Sequence, residues 1–143
     1  FDLGDMTEGP QVAAAVILPS VQAACDELGL DHTAVALTGF SQGGMMSLHC
    51  GLSMDPPPAA IVSFSGALLQ KEAIADLETR PAVMLVHGTD DAVVPFSMMA
   101  TASGILGEHG IEAACVSRPG LGHGIDSDAL TAAIDFLADA LPG

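Results

Sequence analysis

Apolar and polar residues alternate along the chain in blocks that predict strands and helices by turns. Short apolar runs that end at Gly, Ser or His are typical of buried strands. Longer segments rich in Ala, Leu and Met are typical of helices. We predict strands at residues 33–37, 60–64, 82–86 and 111–116. We predict helices at residues 11–28, 43–52, 70–78, 96–109 and 126–141.

Helix ends and interruptions are also visible in the pattern. Gly29 and Gly110 are placed to stop the first and fourth helices. Pro19 is expected to kink or split the first helix, because proline has no N–H to donate. The last helix is amphipathic, and we expect its apolar face to consist of Leu130, Ala133, Ile134, Leu137 and Leu141.

The order of these elements predicts the α/β class. Strands that alternate with helices form a mostly parallel sheet with helices on both faces. Strands that are apolar throughout agree with this, since both faces of such a sheet are buried. The 143 residues show no repeat or linker and are expected to form a single domain over 1–143.

Charge and cysteine content narrow the classes of function. Eighteen acidic residues against three basic ones give a formal charge of −15, which repels nucleic acid and anionic membrane surfaces. This charge fits high solubility or adaptation to salt, and composition does not separate the two. No apolar run reaches the roughly 18 residues of a membrane span, and the acidic start does not resemble a signal peptide. We therefore expect neither nucleic-acid binding nor stable membrane anchoring.

The cysteines predict a reduced protein without a structural metal. Cys25, Cys50 and Cys115 are an odd number with no close pair, which argues against a disulfide framework or a zinc site. Their apolar neighbours predict buried free thiols, and these fit a cytoplasmic location.

The strongest chemical signal is a G-x-S-x-G pattern between the first strand and the helix after it. In parallel sheets, functional residues collect at the carboxyl ends of strands. Residues 39–43 place Ser41 in a tight strand–helix turn, where the pattern is typical of a nucleophile elbow. The backbone N–H of Gln42 would then lie at a helix start and face a developing oxyanion. The competing interpretation is a glycine-rich turn with a capping serine.

An acid and a base follow at the ends of the next strands. Asp90 and Asp91 both come after the third strand, and spacing alone leaves either of them as the orienting acid. His123 lies between glycines after the fourth strand, which gives the chain order Ser, Asp, His. His87 precedes the acid and is expected to shape its loop.

At these residues the sequence resembles the phospholipase/carboxylesterase group of α/β-hydrolases, which includes the acyl-protein thioesterases. The matching segments are residues 39–46, the loop that runs from His87-Gly88 to Pro95, and Gly122-His123. The resemblance aligns the acid with Asp91 rather than Asp90. Phe1-Asp2 resembles an aromatic-Asp pair that precedes the elbow in this family.

The resemblance implies an α/β-hydrolase fold and hydrolysis of carboxylic esters, thioesters or lysophospholipids. The catalytic residues would be Ser41, Asp91 and His123, with no metal and no organic cofactor. The only partner implied is a small-molecule ester substrate. Apolar side chains near the motifs could line an acyl pocket, although core filling explains the methionines equally well. They are Phe40, Met45, Met46, Met98, Met99 and Leu121.

One departure from the family pattern concerns the part of the fold before Phe1. Family members have N-terminal strands there, with a loop that supplies the second oxyanion N–H. The chain is therefore expected to represent the C-terminal portion of the fold. An exposed sheet edge would invite pairing with another chain, which makes a homodimer a candidate assembly. A non-catalytic remnant that acts as an interaction module is the alternative to an active esterase.

Overall fold

The computed structural model describes residues 9–68, 74 and 80–143. The predicted helix at 70–78 and the Phe1-Asp2 pair lie outside the described residues, apart from the single position 74. The described helices are α1 (Gly9–Leu28), α2 (Gln42–Ser53), α3 (Ser97–Glu108) and α4 (Ser127–Ala140), with a short 3₁₀ helix at His32–Ala34. The strands are β1 (Ala36–Phe40), β2 (Ala60–Phe64), β3 (Ala82–Gly88) and β4 (Ala114–Arg118).

The four strands form one parallel sheet in the order β1-β2-β3-β4. The register pairs Phe40 with Phe64 and Phe64 with Val86. It also pairs Gly88 with Arg118, so all four strands end at one edge of the sheet. The predicted α/β class is confirmed, and the segments that follow β1, β3 and β4 meet at this edge.

Helices cover both faces of the sheet. Successive strand residues point to opposite faces. On one face, Ile61, Val83 and Leu85 pack against residues of α2 and α3. On the other face, Val62, Phe64, Met84 and Val86 pack against Ala129 and Ala133 of α4. Helix α1 packs beside α2, through Ala14 against Met46 and Cys50.

Two strands begin later than the sequence pattern predicts. Residues 33–35 are not in a strand, because Asp31 accepts a hydrogen bond from the Thr33 amide (2.8 Å) and caps the 3₁₀ helix. Residues 111–113 are not in a strand because Ile111 completes the end of α3. Its amide donates to Leu106 O (2.9 Å), beside Gly110 at a φ of +78°, and its side chain is buried. This is the Schellman arrangement of a helix end.

Two details of the helices also differ from expectation. Helix α1 continues through Pro19 and is not split, since one missing N–H removes a single hydrogen bond from a 20-residue helix. In α4, Leu130 and Ile134 are 51% and 56% exposed rather than buried. The face on the sheet is built from Ala129 and Ala133, with Phe136 and Leu137 beside them. The small alanines let the helix lie close to the strands.

One cysteine expectation is wrong. Cys25 and Cys50 are buried free thiols as predicted, and burial raises the pKa of Cys50. Cys115 is exposed on β4, the last strand of the described sheet.

Candidate active site

Ser41 lies at the turn between β1 and α2 in a strained backbone conformation. Its φ of 57° and ψ of −118° fall in a region that non-glycine residues rarely occupy. The Ser41 side chain makes no capping hydrogen bond to α2, which argues against the interpretation as a simple helix cap. Its amide donates to Phe64 O on the neighbouring strand (2.8 Å), so the turn is tied to the sheet.

The glycine at position 39 makes this turn possible. A Cβ at Gly39 would lie 2.2 Å from the backbone carbon and oxygen of Gly43. The first turn of α2 therefore comes so close to β1 that no side chain fits at position 39. This close approach presents the Ser41 hydroxyl at the sheet edge.

His123 joins Ser41 to Asp91. Its Nδ1 lies 2.8 Å from Asp91 Oδ2, and its Nε2 lies 3.0 Å from Ser41 Oγ. A carboxylate only accepts hydrogen bonds, so Nδ1 carries the hydrogen and donates it. Nε2 is then free to accept the Ser41 hydroxyl proton. This is the tautomer that a general base needs.

Asp91 is fixed as an ionised acceptor. Its side chain is fully buried, and Oδ1 accepts hydrogen bonds from the amides of Val93 and Val94 (2.9 Å each). Burial alone would raise its pKa, but the hydrogen bond from His123 and the two amides together hold the Asp91 pKa below its ordinary value. Asp90 is exposed and accepts a hydrogen bond from the Thr89 hydroxyl (3.2 Å) instead. The structure therefore brings Asp91, and not Asp90, to His123.

Two loops at the sheet edge are held together by hydrogen bonds. The acid loop (residues 89–95) follows β3, and the histidine loop (residues 119–125) follows β4. The Thr89 amide donates to Arg118 O (3.1 Å), and the Asp90 amide donates to Leu121 O (2.9 Å). In the other direction, the Gly120 amide donates to Thr89 Oγ1 (2.9 Å). These contacts fix the spacing between Asp91 and His123.

The remaining predicted site residues are distributed around this centre. Gln42 is the first residue of α2, directly after Ser41, so its amide lies at a helix N-terminus. The ring of Phe40 lies against the His123 imidazole, with centroids 4.8 Å apart, and the residue is 40% exposed. Met45 is buried with Val94 and contacts Met98, which is partly buried.

The other members of the predicted apolar set are less informative. Leu121 is half-buried in the histidine loop. Met46 packs against α1 and Met99 lies in the core with α2 and β3, so both fill the core. His87 is expected to shape the acid loop, and its Nε2 lies 2.8 Å from Val94 O in that loop. No sequence pattern predicted the contacts of Arg118. His87 lies beside Asp91, and Arg118 forms ion pairs with Asp126 and Asp128 below the histidine loop.

Neither a metal centre nor a membrane span was found within the described ranges. No group of three or more His, Cys, Asp or Glu side chains among these residues could hold a metal ion. No described helix is long and apolar enough to cross a bilayer.

The sequence motifs and the fold agree with one family of proteins. The family model described as Phospholipase/Carboxylesterase matches residues 13–141. The chain belongs to this family. The match extends over the strands, the helices and all three segments of the candidate active site.

Individual members give the same assignment. Acyl-protein thioesterase 1 of Neurospora crassa is 32% identical over 80% of this chain, and that match covers 49% of the relative. Acyl-protein thioesterase 1 of Gibberella zeae is 30% identical over 95% of this chain and 60% of its own length. The crystal structure of esterase PE8 superposes with a TM-score of 0.91 at 35% identity, covering 99% of this chain and 66% of that one. The chain thus spans about half to three-fifths of the length of the curated relatives it matches.

Proposed function

We propose that this phospholipase/carboxylesterase family member is a serine esterase that hydrolyses carboxylic esters of short to medium acyl length. The observation that carries the proposal is the continuous hydrogen-bonded line from Ser41 Oγ through His123 to Asp91 Oδ2, with links of 3.0 Å and 2.8 Å. An imidazole between a hydroxyl and a buried carboxylate is the arrangement that activates a serine for nucleophilic attack.

In the first half of the reaction, His123 Nε2 takes the proton from Ser41 Oγ as the oxygen attacks the ester carbonyl carbon. Asp91 stabilises the imidazolium that forms, since its carboxylate already accepts the Nδ1 hydrogen. The imidazolium then gives its Nε2 proton to the departing alcohol, and the acyl group stays on Ser41. In the second half, His123 takes a proton from water, which attacks the acyl-enzyme and releases the carboxylic acid.

The carbonyl oxygen gains negative charge in both tetrahedral intermediates. The Gln42 amide at the start of α2 is the donor that this chain offers to it. In the family pattern, a second donor comes from a loop after an earlier strand of the sheet. Loss of one such donor costs about 3–4 kcal/mol of transition-state stabilisation, or roughly 10²–10³ in rate.

A thioesterase is the second candidate, because two of the relatives are named acyl-protein thioesterases. The same triad chemistry cleaves either bond. Phe40, Met98 and Leu121 remain the residues predicted to contact the acyl chain. Met45, also predicted to contact it, is buried and packs against Met98. Hydrolysis of a matched ester and thioester with the same acyl group would rank the two substrate classes. A lysophospholipid in the same assay covers the third class that the resemblance implies.

The decisive experiment compares the parent chain with its Ser41→Ala variant on short p-nitrophenyl esters. We expect Ser41-dependent hydrolysis, and covalent labelling of Ser41 by a fluorophosphonate in the parent only. A Ser53→Ala variant serves as a control, since Ser53 ends α2 and bonds to Cys50 O. A folded parent that neither turns over nor labels would support the non-catalytic alternative. Labelling without turnover would indicate a competent nucleophile that lacks the second oxyanion donor.

A further inference from the structure

A second histidine, His87, lies beside Asp91. His87 is on β3, the third strand of the sheet, and is 2% exposed. Its Nε2 lies 2.8 Å from Val94 O and 3.4 Å from Asp91 Oδ2. The same carboxylate oxygen accepts the Nδ1 hydrogen of His123 (2.8 Å). Asp91 Oδ2 therefore lies close to the imidazoles of both His87 and His123.

The contact with Val94 fixes the tautomer of His87. A carbonyl oxygen only accepts hydrogen bonds, so His87 Nε2 carries a hydrogen and donates it to Val94 O. The N–H dipole also attracts the Asp91 carboxylate at the longer distance of 3.4 Å. The edge of the Phe96 ring lies against the imidazole, with centroids 6.0 Å apart, and restricts its tilt.

Hydrogen bonds hold both ends of the turn that carries Asp91. At one end, Asp91 Oδ1 accepts the Val93 and Val94 amides (2.9 Å each). At the other end, the Val94 carbonyl is held by His87, which belongs to a strand with a neighbour on each side. The turn is thus attached to the sheet by a side chain as well as by the backbone, and the direction of Oδ2 depends on that attachment.

We propose that His87 is a positioning residue, which aims Asp91 Oδ2 at His123 by donating its Nε2 hydrogen to Val94 O. The inference rests on the proposed function of Asp91 and His123, and it adds a residue that touches neither the substrate nor the nucleophile. Without the donor, the turn is free to rotate Oδ2 away from His123. A misplacement of about 1 Å in a catalytic group costs roughly 10²-fold in rate.

Two polar variants separate positioning from simple burial of a polar group. In His87→Gln, the side-chain amide nitrogen is separated from Cβ by the same number of bonds as Nε2 of the histidine, so it can reach Val94 O. In His87→Asn the nitrogen is one bond nearer the backbone and cannot reach it. We expect His87→Gln to keep kcat within a few-fold of the parent. We expect His87→Asn to lose roughly 10- to 100-fold in kcat with KM unchanged, because the substrate does not touch this residue.

A spectroscopic test measures the Asp91–His123 contact without turnover. The proton on His123 Nδ1 gives a strongly downfield NMR resonance when a carboxylate accepts it, and Asp91→Ala identifies that resonance by removing it. We expect the signal to persist in His87→Gln and to move upfield or broaden in His87→Asn, with both variants folded by circular dichroism. Equal behaviour of the two folded variants, whether both keep or both lose the signal and kcat, would overturn the proposal.

The same pair of measurements keeps this inference apart from the proposed function. If the parent lacks esterase activity, the resonance still reports whether His87 aligns Asp91. If Ser41-dependent activity is present and His87→Asn behaves as the parent does, the esterase assignment stands and the role of His87 is rejected. Should His87→Asn fail to fold, loss of the resonance in folded His87→Gln rejects the role, and its persistence supports it.

Discussion

The two halves of the candidate active site are held in place by different means. The nucleophile half, formed by β1, Ser41 and α2, depends on close backbone packing and a strained φ of 57°. The acid–base half, formed by the acid and histidine loops, depends on hydrogen bonds between loops. The position of Ser41 should therefore be disturbed by substitutions that add atoms between β1 and α2. The positions of Asp91 and His123 should be disturbed by substitutions that remove or displace hydrogen-bond donors and acceptors.

The largest effect is expected from one methyl group in the nucleophile half. Gly39→Ala would place Cβ 2.2 Å from the Gly43 backbone, so β1 and α2 must separate. Overpacking of this kind costs typically 1–3 kcal/mol, and we expect about 3 kcal/mol or more here because the backbone in the way belongs to a helix packed on the sheet and not to a loop. Urea unfolding monitored by circular dichroism measures the loss, and fluorophosphonate labelling of Ser41 should fail.

Gly43→Ala is the matched control in the same motif. A Cβ at Gly43 meets nothing within 4 Å, and the residue lies in a helix where Ala is favoured over Gly by up to about 1 kcal/mol. We expect an unfolding free energy equal to or above that of the parent. Similar destabilisation by the two substitutions would contradict the packing explanation of the elbow.

The second-largest effect is expected from a substitution that separates the acid loop from the histidine loop. Gly88→Ala would place Cβ 2.2 Å from Leu121 O and 2.5 Å from Gly122 O, which forces the histidine loop away from the acid loop. We expect a loss of about 1–3 kcal/mol in stability and roughly 10²-fold in kcat, since His123 moves with its loop. Gly124→Ala, with nothing within 4 Å, should change neither quantity. A fully active Gly88→Ala variant would show that the spacing of the loops does not set the triad.

Part of this architecture is readable from the sequence, and the rest depends on contacts that the sequence does not display. Ser41 was predicted from a local pattern, and the close approach of β1 and α2 requires the glycine at position 39 of that pattern. The strand starts near residues 33 and 111 were misplaced because Asp31 and Gly110 cap neighbouring helices, and these caps compete with apolar periodicity. The amphipathic pattern of α4 correctly predicted that Ala133 and Leu137 face the sheet. It also predicted burial of Leu130 and Ile134, which are exposed.

Of the site contacts, those of Asp91 and His87 were the hardest to anticipate. Spacing left Asp90 and Asp91 equivalent, and only the resemblance to the family favoured Asp91. The choice depends physically on the turn that brings the Val93 and Val94 amides onto one carboxylate oxygen. For His87, the one feature of the sequence that pointed to a specific contact was its position as a polar residue at the end of an otherwise apolar strand.

Acidification should weaken the two halves in different pH windows. In the nucleophile half, burial lowers the pKa of His49 below its ordinary value of 6.5. The unfolded chain then takes up a proton that the folded chain refuses, so stability falls as the pH drops through 6.5. In the acid–base half, the Asp91 pKa lies below its ordinary 3.8. Its stabilisation is complete above that value and is lost as the pH falls further, through the folded-state pKa.

Urea unfolding between pH 7.5 and roughly pH 3 would resolve the two windows, which follow from the ordinary His and Asp pKa values. We expect His49→Leu to flatten the stability profile near pH 6 and to leave the acidic limb unchanged. Asp91→Asn should flatten the acidic limb only. A His49→Leu profile that parallels the parent near pH 6 would mean that His49 protonates as readily in the folded chain as in the unfolded one.

The smallest expected effect separates a helix cap from an exposed ion pair at the end of the histidine loop. Asp126 accepts the Ala129 amide (2.8 Å) as the N-cap of α4 and also bonds Arg118 Nε (3.0 Å). Asp128 bonds only Arg118 Nη2 (2.9 Å), and its side chain is 75% exposed.

Asp126→Ala should cost about 1 kcal/mol, the usual loss for a cap, whereas Asp128→Ala should cost less than about 0.5 kcal/mol, as exposed pairs do. Raising the salt concentration should reduce the small effect of Asp128→Ala and leave most of the cap effect, because screening weakens the ion pair more than the hydrogen bond of the cap. If the two variants lose equal stability at low salt and recover equally at high salt, the Arg118 ion pairs, and not the cap, hold the start of α4 to β4. The acid–base half would then depend on charge rather than on directed hydrogen bonds at this end.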